Sequence, residues 1–70
     1  MAKLTRKDVI NRVEAGDSLE QEDLSGLDLS RANLTTTNLI GADFSDAALG
    51  GVIGANFSGA LAVSSEYLKD

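Results

Sequence analysis

Seventy residues with eleven acidic and six basic side chains carry a net charge of −5, and neither His nor Cys is present. That length is one domain, and without thiols or imidazoles there is no disulfide framework, no thiolate nucleophile, no zinc–thiolate site and no ordinary neutral-pH acid–base group. The acidic balance argues against a nucleic-acid-binding basic patch and against attraction to anionic lipid, and no apolar run approaches the roughly 20 residues of a membrane-spanning helix.

The chain begins with residues 1–3, expected to be a loose end. Lys3, Arg6 and Lys7 look like a basic leader, but Asp8 and Asn11 interrupt any signal-peptide core, so a cytosolic chain is expected. Thr5-Arg6-Lys7-Asp8 has the form of a capping box with Asp in place of the usual Glu, and Leu4 and Val9 stand at the two positions of a hydrophobic staple. The spacing predicts a helix from about Arg6 to Ala15 with Val9, Ile10 and Val13 on one stripe, stopped by Gly16. This helix is read as a cap over the near end of the repetitive stretch that begins at Leu19, in preference to a partner-binding amphipathic helix, because its apolar stripe is short. Glu20, Gln21, Glu22 and Asp23 form an acidic cluster, read as a solvated corner; it lacks the spacing and the Gly of a calcium loop.

The repetitive stretch sets the architecture. A large apolar residue recurs every fifth position at Leu19, Leu24, Leu29, Leu34, Leu39, Phe44 and Leu49, and Phe57 resumes the pattern. Asp23, Asp28, Asn33, Asn38 and Asp43 each precede one of them, with Ala48 the exception, and Ala32, Thr37, Ala42 and Ala47 stand two residues before. Glu22 and Leu27 depart from that small-residue position. A period of five fits neither a strand nor an α-helix, since a flat strand alternates faces and a helix rotates by roughly 140° in five residues. A chain that turns a corner after every five residues keeps all the large residues on one axis, which is the logic of a solenoid.

These residues resemble the pentapeptide-repeat family, whose unit is Ala-(Asp/Asn)-Leu-X-X. Ala32-Asn33-Leu34-Thr35-Thr36 and Ala42-Asp43-Phe44-Ser45-Asp46 match it fully, and the resemblance extends over roughly Leu19 to Ala62. It implies an all-β solenoid, a right-handed quadrilateral β-helix of two to three coils with four repeats per coil, here capped by the short N-terminal α-helix. Residues twenty apart would then stack, pairing Leu19 with Leu39, Leu24 with Phe44, Leu29 with Leu49, and Asp23 with Asp43. That carboxylate pair has no evident pocket or electrophile beside it, and an enzyme is not expected.

The rhythm breaks after Leu49, where Gly50-Gly51-Val52-Ile53-Gly54 precedes Ala55-Asn56-Phe57-Ser58-Gly59. Three glycines suggest a loop with Val52 and Ile53 as an exposed apolar tip. A second account keeps Val52, Phe57, Ala62 and Tyr67 five apart and tightens the corner; of the two, the loop is favoured. The glycines are not a phosphate-binding loop, for no Lys-Ser/Thr comes after them. Ala60-Leu61-Ala62 is a degraded repeat, and Ser64 or Ser65 is placed to cap one helical turn, with Tyr67 and Leu68 either covering the far end or joining another chain. The expected organisation is a capping helix and lead-in over residues 1–18, the array over 19–63, irregular at 50–54, and a C-terminal cap or tail over 64–70.

Two or three thin coils of Leu and Ala supply little apolar surface against chain entropy. A homodimer through the C-terminal coils is therefore expected, with Val52, Ile53, Phe57, Tyr67 and Leu68 as interface candidates, unless the chain is a fragment of a longer array. The functional expectation is a non-enzymatic structural or protein-interaction module without cofactor, metal, membrane or direct nucleic-acid partner, with a protein partner on its acidic faces as the other option. The resemblance offers one alternative, because the family includes long acidic β-helices that bind DNA gyrase and protect it from quinolones. Catalytic residues are not expected.

Overall fold

The structure, a computed structural model, describes residues 4–68. The loose end expected at residues 1–3 and the last two residues of the expected C-terminal cap lie outside that range.

The first element, α1 (Arg6–Glu14), forms for local reasons. The Thr5 hydroxyl accepts from the Asp8 amide at 3.2 Å, and the Asp8 carboxylate accepts from the Thr5 amide at 3.0 Å, so both halves of the capping box are made. At the other end Ala15 caps and Gly16 takes φ +80°, the left-handed stop that glycine adopts without a Cβ penalty. Val9 is fully buried, and Leu4 and Val13 pack partly buried beside it.

From Gly16 onward a left-handed residue recurs at every fifth position: Gln21, Gly26, Arg31, Thr36, Gly41, Asp46 and Gly51. Each is the third residue of a turn whose fourth amide closes on the first carbonyl, as in Glu22 N–H to Leu19 C=O (3.2 Å) and Ala42 N–H to Leu39 C=O (3.0 Å). Positive φ at that position is the signature of a type II turn. Four such corners fill one twenty-residue step, and the chain then lies over itself. Leu24 N–H donates to Asp43 C=O at 2.9 Å and Asp43 N–H donates to Glu22 C=O at 3.0 Å. The same pair of bonds joins Leu29 and Leu27 to Ala48, and Leu34 and Ala32 to Ile53. The parallel bridges Asp23–Asp43, Asp28–Ala48 and Asn33–Ile53 all span twenty residues. No continuous strand forms among the described residues, because each straight run between corners has room for a single bridge.

This register puts every large repeat residue on one axis. Leu19, Leu24, Leu29, Leu34, Leu39, Phe44 and Leu49 are at most 2% exposed, with Ala32 and Ala42 buried among them. Leu19, Leu24 and Leu29 lie under Leu39, Phe44 and Leu49, twenty positions later, so the core is a column of Leu and Phe.

The loop favoured at 50–54 does not form. Gly50–Gly51 is an ordinary corner, with Val52 N–H closing on Leu49 C=O at 3.2 Å and Arg31 N–H donating to Gly50 C=O at 2.8 Å. After Ile53 the offset shrinks: Asn33–Ile53 spans 53 − 33 = 20 residues, and Asp43–Leu61 spans 61 − 43 = 18. The chain turns at Gly54 (φ +67°), and two residues are saved relative to the corner below it. Val52 is therefore partly buried against the core and is not an exposed tip, and Ile53 stands outward above Asn33, 54% exposed. Phe57 reaches the core edge-on to Phe44, with centroids 5.5 Å apart and planes at 86°. Ala62, in phase with Val52 and Phe57, is exposed and left-handed (φ +57°), and its neighbour Val63 packs inward in its place. A single 3-10 turn, Ser65–Tyr67, comes next; Ser64 precedes it without a side-chain capping bond. Tyr67 packs against the core and Leu68 remains 54% exposed.

Candidate functional site

Asp and Asn recur before the inward residues from Leu24 to Phe44, and again before Phe57, because they build the corners. The side chains of Asp23, Asp28, Asn33, Asn38, Asp43 and Asn56 each accept from the amide two residues on, at 2.9–3.1 Å. These are Asx turns. Ser18 serves the first corner in the same way, accepting from the Glu20 amide at 2.9 Å. Asp23 and Asp43 also accept from the Ser25 and Ser45 hydroxyls at 2.6 Å. The hydroxyl and amide of Ser30 hold the Asp28 carboxyl below its ordinary value, and the Thr5 amide and hydroxyl do the same for Asp8. Stabilised as anions by turn donors, these carboxylates are poor proton donors near neutral pH.

The acidic cluster at the first corner is divided among separate partners. Glu20 accepts from the Asn38 side-chain amide at 3.0 Å, and Glu22 accepts from Arg12 at 2.8 Å. Glu22 occupies a position where the repeat favours a small residue, and its partly exposed carboxylate ties α1 to the first coil. Among the described residues no group of three or more His, Cys, Asp or Glu is placed to hold a metal ion. No helix among them is long and apolar enough to cross a membrane.

The five interface candidates differ in their surroundings. Val52, Phe57 and Tyr67 pack partly buried against the core, and Ile53 and Leu68 are exposed.

One concave feature was not legible from the sequence. Between α1 and the lower edge of the first coil runs a groove of about 290 Å³, lined by Arg6, Ile10, Val13, Glu14, Arg31, Ala32, Asn33 and Thr35. A smaller hollow of about 70 Å³ continues past Val13 to Gly16, Asp17 and Thr35–Thr37. Arg6 spans the neighbouring part of the same edge, donating to the Asp28 carbonyl at 2.8 Å. Among the described residues the helix thus covers the edge at Asp28 and leaves it open at Asn33. Signals for the groove exist only in three dimensions, because α1 meets residues about twenty positions further along the chain.

Comparison with family models matches residues 23–53 to one described as pentapeptide repeats, in eight copies. No curated protein and no solved structure gives a match.

Proposed function

This chain is a pentapeptide-repeat protein over residues 23–53, and from that premise we infer that its coils are those of a right-handed quadrilateral β-helix acting as a non-enzymatic protein-interaction scaffold. Four corners per twenty-residue step and the parallel bridges between successive coils support that fold. The observation that carries the function is the use made of the polar columns: six Asp and Asn side chains are engaged by the amides of their own turns. Side chains committed to shape a rigid surface suit a scaffold. Turnover of any substrate that is abolished by Asp23→Asn or Asp43→Asn would overturn this reading.

Self-association through the C-terminal coils belongs to the same proposal. Ile53, Leu61 and Leu68 are exposed in that half of the chain, and Phe57 and Tyr67 are only partly covered. Light scattering over a dilution series, with circular dichroism on the same samples, tests it. The expected result is a folded dimer that loses structure on dilution; a folded monomer at every concentration removes the dimer and leaves the scaffold to a foreign partner. The acidic DNA-mimic reading ranks second. At about 4.8 Å per coil, two coils rise about 10 Å, the length of about three base pairs.

A further inference from the structure

We propose that the groove between α1 and the first coil is a docking site for an extended peptide segment that carries an acidic side chain. The proposal rests on the scaffold reading and names where that scaffold binds.

The first observation is an open edge. In the Asn33–Ile53 bridge, Ala32 C=O and Leu34 N–H face the second coil, so the amide and carbonyl of Asn33 itself face the other way. Asp28 has the same orientation one corner earlier, and there Arg6 satisfies the carbonyl. At Asn33 neither backbone group has a partner among the described residues. A parallel extended segment laid in the groove would make with Asn33 the same two backbone bonds that each bridge of the coil contains. This is recognition by strand addition, in which main-chain bonds hold the peptide and side-chain contacts select it.

The second observation concerns Arg31, independently of the edge. It sits at a left-handed corner (φ +64°), as do Gln21, Thr36 and Asp46 at equivalent corners, and alone of these four it carries a cation. Its guanidinium has no hydrogen bond or ion pair among the described residues, although the chain carries net charge −5. A cation on the rim of a groove with no partner among the described residues is placed to pair with an incoming carboxylate. Arg31 and Arg6 line one groove, and among the described residues Glu14 is the only acidic one lining it. A carboxylate on the incoming segment would pair with Arg31, and an apolar neighbour would cover the partly buried Ile10 and Val13. A basic segment would meet both arginines.

The test is an amide-resolved NMR titration of the full chain with two blocked pentapeptides, Ac-Thr-Val-Glu-Val-Thr-NH2 and the same peptide with Lys in place of Glu. The expected result is shifts at Asn33, Thr35, Ile10 and Val13, with the Glu peptide binding about tenfold more tightly at low salt and the margin shrinking as salt rises. Arg31→Gly, which suits the left-handed corner, is expected to keep the fold and erase the preference. Equal binding of the two peptides, or shifts confined to other surfaces, overturns the groove site and leaves the scaffold standing. A preference that survives Arg31→Gly overturns the assignment to Arg31 and with it the proposal. Loss of the scaffold reading would show separately, as turnover dependent on Asp23 or Asp43.

Discussion

At the scale of single residues, the corners are where this chain stores strain and where small changes have opposite signs. Thr36 is β-branched and holds φ +66°, a region that such residues rarely occupy. Thr36→Gly should raise stability by about 1 kcal/mol, or about 4–8 °C in melting temperature for a domain of this size, measured by thermal unfolding followed by circular dichroism. Gly54→Ala should act in reverse. Its Cβ would collide with the Thr35 hydroxyl oxygen and lie 3.2 Å from the Thr35 Cα, at a φ of +67°. The same melts should show a loss of at least about 2 kcal/mol. The repeating Asp and Asn were plain in the sequence, and their Asx-turn bonds arise from side-chain chemistry that acts over two residues. The left-handed backbone of Gln21, Arg31, Thr36 and Asp46 was less plain, since only the glycines at equivalent corners hint at it. The groove beside Arg31 was not legible at all, because it depends on where a helix docks.

At the scale of elements, α1 was legible nearly to its ends because its signals are local. Thr5, Asp8 and Gly16 specify its boundaries through bonds and backbone angles within a few residues. The tightened corner after Ile53 was harder, since both a loop and a shorter turn satisfy the local sequence. Only the bonds of the neighbouring coil separate them, and those depend on contacts about eighteen residues away. The capping box also makes α1 sensitive to acid. Asp8 is held below its ordinary value of 3.8 in the folded chain, and Asp28, on the edge that Arg6 covers, is lowered likewise. A carboxyl with a lowered folded pKa adds stability that is fully present above its unfolded value and is lost as pH falls through its folded value. Melting temperature should therefore be insensitive to Asp8 between about pH 5 and pH 7 and fall below about pH 4. Asp8→Asn should lower the neutral plateau and flatten the acid limb; an unchanged acid limb in that variant, with Asp28 intact, would assign the effect to other carboxylates.

At the scale of the whole molecule, a body of 29 × 23 × 20 Å is held by a single column of side chains. Phe44 is its largest fully buried member and the partner of Phe57. Phe44→Ala should cost about 3–5 kcal/mol, a large share of what a small domain has, and denaturant titration should find the variant mostly unfolded. The twenty-residue register has a consequence for how such a chain can lengthen. Below Ile53 every layer superimposes on the next, so a duplication of twenty residues there, for example a second copy of residues 30–49 placed directly after Leu49, would meet matching neighbours above and below. Past Gly54 the spacing is eighteen, and a duplicated block of the same size would arrive out of phase with its support. Growth by tandem duplication is therefore open on one side of Gly54 and obstructed on the other, so that a two-residue economy at one corner acts as punctuation for the array.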